Sequence, residues 1–341
     1  MATIKDVAAR AGVSVATVSY VINGTKPVAP ETAARVRRAM EELDYHPNAA
    51  AQSLRTRTTH VIGAVISDIS NPFFATLIRG VEDYARDNGY SLLICNTDEK
   101  AENELVYFEL LRRKRVDGML IAPTGRNNNE IQDLTASGMQ IVFVDRKIDG
   151  ITTSAVLSEN EEGAYLATKY LLSKGHSRIG IVLGLSHLST TTERLRGYKR
   201  ALKEASVEVD ESLVVYGESQ VRTAQQACHD LLVGSNRPTA IFATNNLMTI
   251  GVMAAVHEAG LRCPQDISVV GFDDFEWTSV FNPPITTVAQ DPYRIGVTAV
   301  KLLLANIQRS KSGIETVATP EEVRVPVRLI VRNSVKNLSG R

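Results

Sequence analysis

Two groups of residues in this sequence have the types and spacing to do chemistry. The first lies near the start. If Val15, Val18 and Ile22 form the inner face of a helix that Ser14 caps, then Ala16, Thr17, Ser19 and Tyr20 point outward. Hydroxyls and a phenol on an exposed helix suit phosphates and base edges, and Val15 and Ala16 stand at its N-terminal end. An ordinary helical hairpin with solvated Ser and Thr would show the same pattern. The second group closes short apolar runs. VIGAVIS is followed by Asp68-Ile69-Ser70-Asn71-Pro72-Phe73-Phe74, and QIVFVD ends on Asp145-Arg146. A helix starting at Pro72 would bring Phe73 and Phe74 to the mouth of a cleft, one of the pair serving as core. An Arg and an Asp that fork hydrogen bonds are what a polyhydroxylated ligand needs.

The elements that must position these residues are legible in the hydrophobic periodicity. Ile4, Val7, Ala8 and Ala11 share one helical face, followed by Gly12, which suits a left-handed cap. Val36, Ala39, Met40 and Leu43 share another, ended by Pro47. Three short helices, the first two joined by a tight turn, fit a helix-turn-helix. From Val61 the texture changes to VIGAVIS, SLLICNT, GMLIAP, QIVFVD, RIGIVLG, TAIFAT and ISVVGF, alternating with amphipathic helices. That alternation predicts parallel sheets built from βαβ crossovers. Between the two regions, NAAAQSLRTRTTH reads as a linker able to form one short helix. Pro47 stops the preceding helix and Asn48 can cap the next. So short a helix is unstable alone in water and should form only when docked.

Charge and composition narrow the function. The 341 residues carry 38 Lys/Arg and 38 Asp/Glu, yet residues 1–58 hold eight cations against five acids, leaving a basic head on an acidic body. Cys95, Cys228 and Cys263 are an odd, scattered set, expected to be buried thiols in a reducing compartment. MATIKDVAARAG has no uninterrupted apolar core of a signal peptide, and no apolar run of ~18 residues exists, so a soluble, cytoplasmic protein is expected. No Gly-rich phosphate loop, G-x-S-x-G elbow or H-E-x-x-H helix occurs. The six histidines lack metal-ligand spacing, and His176 and His257 sit near helix ends, where solvated or capping roles are expected. Asp273 and Asp274 are adjacent, and neighbours on a strand point oppositely, so they do not pair. The expectation is no catalysis, no cofactor and no metal.

Beyond these physical readings, MATIKDVAARAGVSVATVSYVIN resembles the DNA-binding signature of the LacI/GalR family of bacterial transcription regulators, in the form its purine and ribose repressors carry. YHPNAAAQSLRT resembles that family's hinge. NPFF, RVDGMLI, VDR, GHSRIG, ERLRGY, PTAIFATNN, ISVVGFDD and PPITTVAQD follow in the family's order and spacing. The resemblance implies an α/β core of two Rossmann-like lobes, like the periplasmic binding proteins, behind an N-terminal all-α helix-turn-helix headpiece. Its divisions would be a headpiece over 1–47, a hinge helix and linker over 48–58, and an effector-binding and dimerisation core over 59–341. Lobe one would take residues 60–160 and 291–322. It implies a homodimeric regulator of pseudo-palindromic operator DNA, under a small effector. A periplasmic-type solute-binding protein without DNA function is the rival reading, and the headpiece argues against it.

Residue by residue, the resemblance implies DNA contacts from Thr3, Val15, Ala16, Thr17, Ser19, Tyr20, Asn23, Lys26, Leu54 and Arg55. Leu54 would wedge into the minor groove; without the family it reads as a linker leucine packed on lobe one. Effector contacts would come from Asp68, Ser70, Phe73, Phe74, Arg146, Ser158, Arg194, Asn245, Asp273 and Gln290. Two departures stand out. Ser158 replaces an acid and Ser219 an aromatic that many members carry, and LSHLSTTTE differs from the purine repressors' loop. Trp277 is a candidate for the missing aromatic, or else a half-buried scaffold residue. With Arg146 and Arg194 kept and an acid lost at Ser158, the expected effector is a polyhydroxylated anion, such as a sugar acid or sugar phosphate, ahead of a neutral sugar.

Overall fold

The computed structural model describes residues 2–24, 26–45, 58–234, 236–312 and 320–339. It divides into two compact units, Met1–Thr59 and His60–Arg341.

The first unit holds α1 (Ile4–Ala11), α2 (Val15–Asn23) and α3 (Pro30–Glu42). Local chemistry sets each boundary. Thr3 and Asp6 form a reciprocal capping box at the start of α1, and Gly12 ends it at φ 64°. Ser14 caps α2 by accepting from the Thr17 amide. Val7, Ala8, Ala11, Val18, Val36 and Ala39 close the core, with Val13, Val21 and Ile22 packed around them. One expectation is corrected. Val15 does not face inward but is 41% exposed. It opens α2 a turn before Val18, beyond the edge of this small core.

The second unit is a pair of parallel-sheet lobes. Lobe one contains β1 (Val61–Ile66), α4 (Pro72–Asp87), β2 (Ser91–Asn96), α5 (Ala101–Lys114), β3 (Gly118–Ile121), α6 (Asn128–Ala136), β4 (Gln140–Asp145) and β5 (Ser154–Ser158). The chain returns to it for α12 (Pro292–Lys311) and β11 (Glu322–Val325). Lobe two contains α7 (Asn160–Ser173), β6 (Ile179–Leu183), α8 (Ser189–Glu204), β7 (Val214–Tyr216), α9 (Val221–Val233) and β8 (Ala240–Ala243). It is completed by α10 (Asn246–Glu258), β9 (Ser268–Phe272), α11 (Glu276–Val280), β10 (Thr286–Ala289) and β12 (Arg328–Ile330). Sheet order is β11-β5-β4-β3-β1-β2 in one lobe and β12-β10-β9-β8-β6-β7 in the other, where β12 alone runs antiparallel. The chain passes between lobes three times, at residues 158–160, 289–292 and 325–328. Lobe one thus runs three residues past the expected 322.

The seven apolar runs are all strands. Among the described residues five further strands, β5, β7, β10, β11 and β12, are three to five residues long and escape the periodicity. In β10, Thr286 and Thr287 are fully buried. The hydroxyl of Thr287 donates to Asp274 and that of Thr286 accepts from the Arg332 amide, so polar residues serve a buried strand. Helices flank each sheet closely. α4 meets α12 where Gly80 faces the Tyr293 carbonyl and Gly296 faces the Leu77 carbonyl, positions at which a Cβ would strike backbone. Such contact fixes the helices that present Asn71 and Asp291, their N-caps, at the same edge of lobe one.

Candidate functional site

In the doubly wound lobes, both sheets turn the carboxyl ends of their strands toward a shared cleft of about 650 Å³. Nine of the ten effector residues inferred from the sequence line it: Asp68, Ser70, Phe73, Phe74, Arg146, Arg194, Asn245, Asp273 and Gln290. Ser158 does not. It lies at the end of β5, 2% exposed, with its hydroxyl unpaired and its carbonyl accepting from Arg324. Sequence reasoning missed Asp98, Glu99, Lys100, Arg126, His187, Glu218 and Gln220 on the walls. The strand-end rule that found Asp68 applies equally to CNTDEK after β2, and would have found three of them.

Backbone strain marks the same place. Asp98, Glu99, Asp145, Glu218, Ser219 and Asp273 all have φ between 50° and 76°, and all six line the cleft. Left-handed conformations cost a non-glycine residue on the order of 1–3 kcal/mol and gather where a site needs them.

The two arginines expected to seek an anion are already engaged. Arg146, 3% exposed, donates from both terminal nitrogens to Glu99, each at 2.9 Å. Arg194, 7% exposed, stacks its guanidinium 3.9 Å from the Phe272 ring centroid, donates from Nε to Asn160 at 2.9 Å, and donates from Nη1 to the Thr244 carbonyl. Asp273 accepts from Gln290 at 2.5 Å and from the Asn246 amide at 3.1 Å. Burial pushes the Asp145 carboxyl up to about 6, against the pull of Arg146 and Arg194. Among the described residues on the wall, six carboxylates (Asp68, Asp98, Glu99, Asp145, Glu218, Asp273) face four cations (Lys100, Arg126, Arg146, Arg194). The expected anionic preference therefore loses both its premises. Ser158 is off the cleft, Arg146 is forked by Glu99, and Arg194 is committed to Asn160 and the Thr244 carbonyl.

Apolar contact comes from Phe73 and Phe74, edge to face with centroids 5.2 Å apart. Both also belong to the core of lobe one, so wall and core are one structure. Leu185, Leu188 and Leu247 line the same cleft from lobe two. Trp277 is not on the wall; it is half-buried, with Phe281 at 5.5 Å, the scaffold role. Direct bonds also join the lobes. The Asn71 and Asn246 amides pair at 2.8 and 3.3 Å, His187 Nε2 meets the Thr124 carbonyl at 3.0 Å, and the Lys147 amide donates to the Ser189 hydroxyl at 3.1 Å.

Other chemically interesting groups are structural. Asp274 points away from Asp273 and grips Arg332 at 2.6 and 3.1 Å. His176 is not solvated: it is 2% exposed, bonded to the Thr239 hydroxyl and the Lys336 carbonyl, and ties down the C-terminal segment. Burial raises the Cys95 thiol to about 11 and the Cys228 thiol to about 12, which makes both inert; Cys263 is only partly buried. Among the described residues no cluster of three or more His, Cys, Asp or Glu has metal-binding geometry, and no helix is long and apolar enough to cross a membrane.

In the headpiece, Val15 and Ala16 are exposed at the start of α2, and Thr17, Ser19, Tyr20 and Asn23 are half-buried along it. The Thr17 hydroxyl bonds that of Ser14, and the Asn23 amide donates to the Ser19 carbonyl and hydroxyl. Lys26 is exposed, with its ammonium 5.1 Å from the Tyr20 ring centroid. Thr3 is exposed and its hydroxyl is held by Asp6 at 2.7 Å. Leu54 and Arg55, with Pro47 and Asn48, lie outside the described residues.

Comparison with known proteins agrees with this two-part layout. Residues 3–48 match the family described as bacterial regulatory proteins, lacI family, and residues 59–333 match periplasmic binding proteins and sugar binding domain of LacI family. The chain is similar to the HTH-type transcriptional repressor PurR of Aliivibrio salmonicida, at 40% identity over 90% of this chain and 93% of that one. It is similar in structure to the Lac repressor dimer bound to operator and the anti-inducer ONPF, at TM-score 0.86 and 28% identity over 98% and 99% of the two chains. It is also similar to a LacI family transcriptional regulator from Enterococcus faecium with bound ribose, at TM-score 0.71 and 31% identity over 82% and 100%. A helix-turn-helix headpiece, a two-lobed core with its cleft at the strand ends, and matches across nearly the whole length together show that the chain belongs to the LacI family of bacterial transcription regulators.

Proposed function

We propose that this regulator binds operator DNA as a homodimer and that its operator affinity is set by a neutral monosaccharide held in the cleft. The observation that carries the ligand class is the pairing of Arg146 with Glu99, beside an excess of two carboxylates on the wall. A guanidinium already forked by a carboxylate has little left for an anion, while carboxylates, amides and the remaining N–H groups suit vicinal hydroxyls. The Phe73–Phe74 pair supplies an apolar face for a sugar ring. The Enterococcus relative, with its bound ribose, makes ribose the first ligand to try.

The DNA side rests on α2. Val15, Ala16 and Tyr20 would read base edges, while Thr3, Thr17, Ser19, Asn23, Lys26 and Arg55 hold phosphate and Leu54 enters the minor groove. The divisions proposed are headpiece 1–47, hinge 48–58 and core 59–341. For the dimer face, exposed Leu93 on the edge strand β2 shares its sheet face with α5, whose Leu105, Val106 and Leu110 are also exposed, and exposed Ile94 lies on the opposite face of the same strand, an apolar edge that a second copy would cover. The chain would act in the cytoplasm, by binding rather than catalysis. Calorimetry on the full chain tests the ligand class. Micromolar binding of D-ribose or another neutral sugar is expected, with aldonates and sugar phosphates silent; the reverse ranking would refute it.

A further inference from the structure

The cleft is wired to the segments on which the lobes turn. Arg194 donates through Nε to the Asn160 side-chain oxygen at 2.9 Å. Asn160 is the first residue of α7, immediately beyond the crossover from lobe one, and its amide nitrogen donates onward to Glu193 at 3.1 Å and to the Ser158 carbonyl at 3.3 Å. Glu193 in turn accepts both terminal nitrogens of Arg324, each at 2.8 Å. Arg324 stands on β11, one residue before the lobe-one sheet ends and the chain crosses again, and it too donates to the Ser158 carbonyl at 3.2 Å. Three of the four side chains are nearly inaccessible, with Asn160 at 1%, Glu193 at 5% and Arg194 at 7% exposure. One continuous run of hydrogen bonds therefore starts on the cleft wall and ends on two of the three crossovers.

A buried fork of this kind is a weak source of net stability, because desolvating both ions offsets most of their attraction. What it does well is specify one arrangement of the parts it joins. Those parts are a ligand-facing arginine and two of the crossovers between the lobes. Arg194 has committed Nε to Asn160 and Nη1 to the Thr244 carbonyl, while Nη2 makes no hydrogen bond to any described residue. A hydroxyl in the cleft that accepts from Nη2 and reorients the guanidinium must also move Asn160, and with it the crossover that Asn160 begins. The Glu193–Arg324 fork passes that movement to the second crossover, since its two halves belong to different lobes.

We infer that Asn160, Glu193 and Arg324 are positioning residues that transmit occupancy of the cleft to the crossovers between the lobes, and so to operator affinity, without touching the effector. This rests on the proposed effector cleft for its function, but the wiring itself is testable without a ligand. The test variant is the full chain carrying Glu193→Gln with Arg324→Met, which removes both charges together and strands neither; Asn160→Ala is the second variant should the first fold poorly. An operator duplex selected from a random pool by the wild-type chain reports affinity with and without D-ribose. In the wild type, a coupling within the usual range of about 5–150-fold is expected. In the variant it should fall below about twofold, while ribose affinity and ribose-free operator affinity each stay within about threefold. A merely structural role would lower the melting temperature and leave the coupling ratio intact, and that result overturns the inference. If D-ribose or the operator selection is silent even in the wild type, the proposed function is what fails. The inference is then decided in ligand-free protein by the distance between nitroxides at Glu102→Cys and Arg222→Cys, in a Cys263→Ser background. A broadened lobe-to-lobe distribution in the variant supports it, and an unchanged one overturns it.

Discussion

Replacing Glu99 with Gln puts the charge argument for the cleft at risk. The substitution keeps the shape and removes the carboxylate that holds both ends of Arg146. Arg146 has 4% side-chain exposure, so its guanidinium cannot recover the lost partner from water. Breaking a buried pair by deleting one partner costs about 3–5 kcal/mol. Glu99 itself is 25% exposed, which places the expected loss at the lower end, about 3 kcal/mol. At roughly 2 °C per kcal/mol for a domain of this size, the core should melt about 6 °C lower. A control at Arg113–Glu109, where the side chains are 75% and 47% exposed, should leave the melting temperature essentially unchanged. The same substitution also frees a fork for an anion and cuts the carboxylate excess on the wall. Gluconate or ribose 5-phosphate should therefore bind Glu99→Gln, restoring melting temperature, while leaving the wild type unmoved. Differential scanning calorimetry with each ligand in the millimolar range reads all of this. Unchanged melting in the variant, or a wild type that already responds to the anions, would refute the reasoning.

Other outcomes follow from equally specific contacts. Asp145 has a folded-state carboxyl raised to about 6, so the native state holds a proton that the unfolded chain gives up near pH 4. The stability this contributes is present below pH ~4 and lost as pH rises to ~6; denaturant melts should show Asp145→Asn flattening that decline, by up to about 3 kcal/mol relative to wild type. Gly296→Ala would drive a Cβ into the Leu77 carbonyl, a backbone atom that cannot swing away. A loss at or beyond the top of the ~1–3 kcal/mol overpacking range is expected in urea melts, and a neutral result would disprove the tight α4–α12 contact. Exchanging exposed Val15 and Ala16 for polar residues should change which half-site is preferred in a selection experiment, with each wrong base pair costing ~1–3 kcal/mol; equally weak binding to every half-site would contradict a base-reading role.

What the sequence determined alone was whatever depends on near neighbours. Gly12 ends α1 and Ser14 caps α2 through bonds that close within a few residues, so those helix boundaries could be read directly; the Thr3–Asp6 box is just as local. Asp68, Asp145 and Asp273 stand at the ends of strong apolar strands, and the parallel α/β pattern alone sends such ends to a cleft. Val15 went wrong because periodicity states which residues share a face, not how far a core extends beneath it. The tertiary structure alone decided the charge of the cleft. Glu99 reaches Arg146 across 47 residues and Glu193 reaches Arg324 across 131, separations over which no local pattern carries information. The strands β5, β10 and β11 are equally invisible beforehand. Their four or five residues become strands because a neighbouring strand is there to take their hydrogen bonds, and because partners such as Asp274 satisfy their hydroxyls. Ion pairs and short strands gain their free energy from partners that folding brings together, so they were settled only once the two lobes had formed.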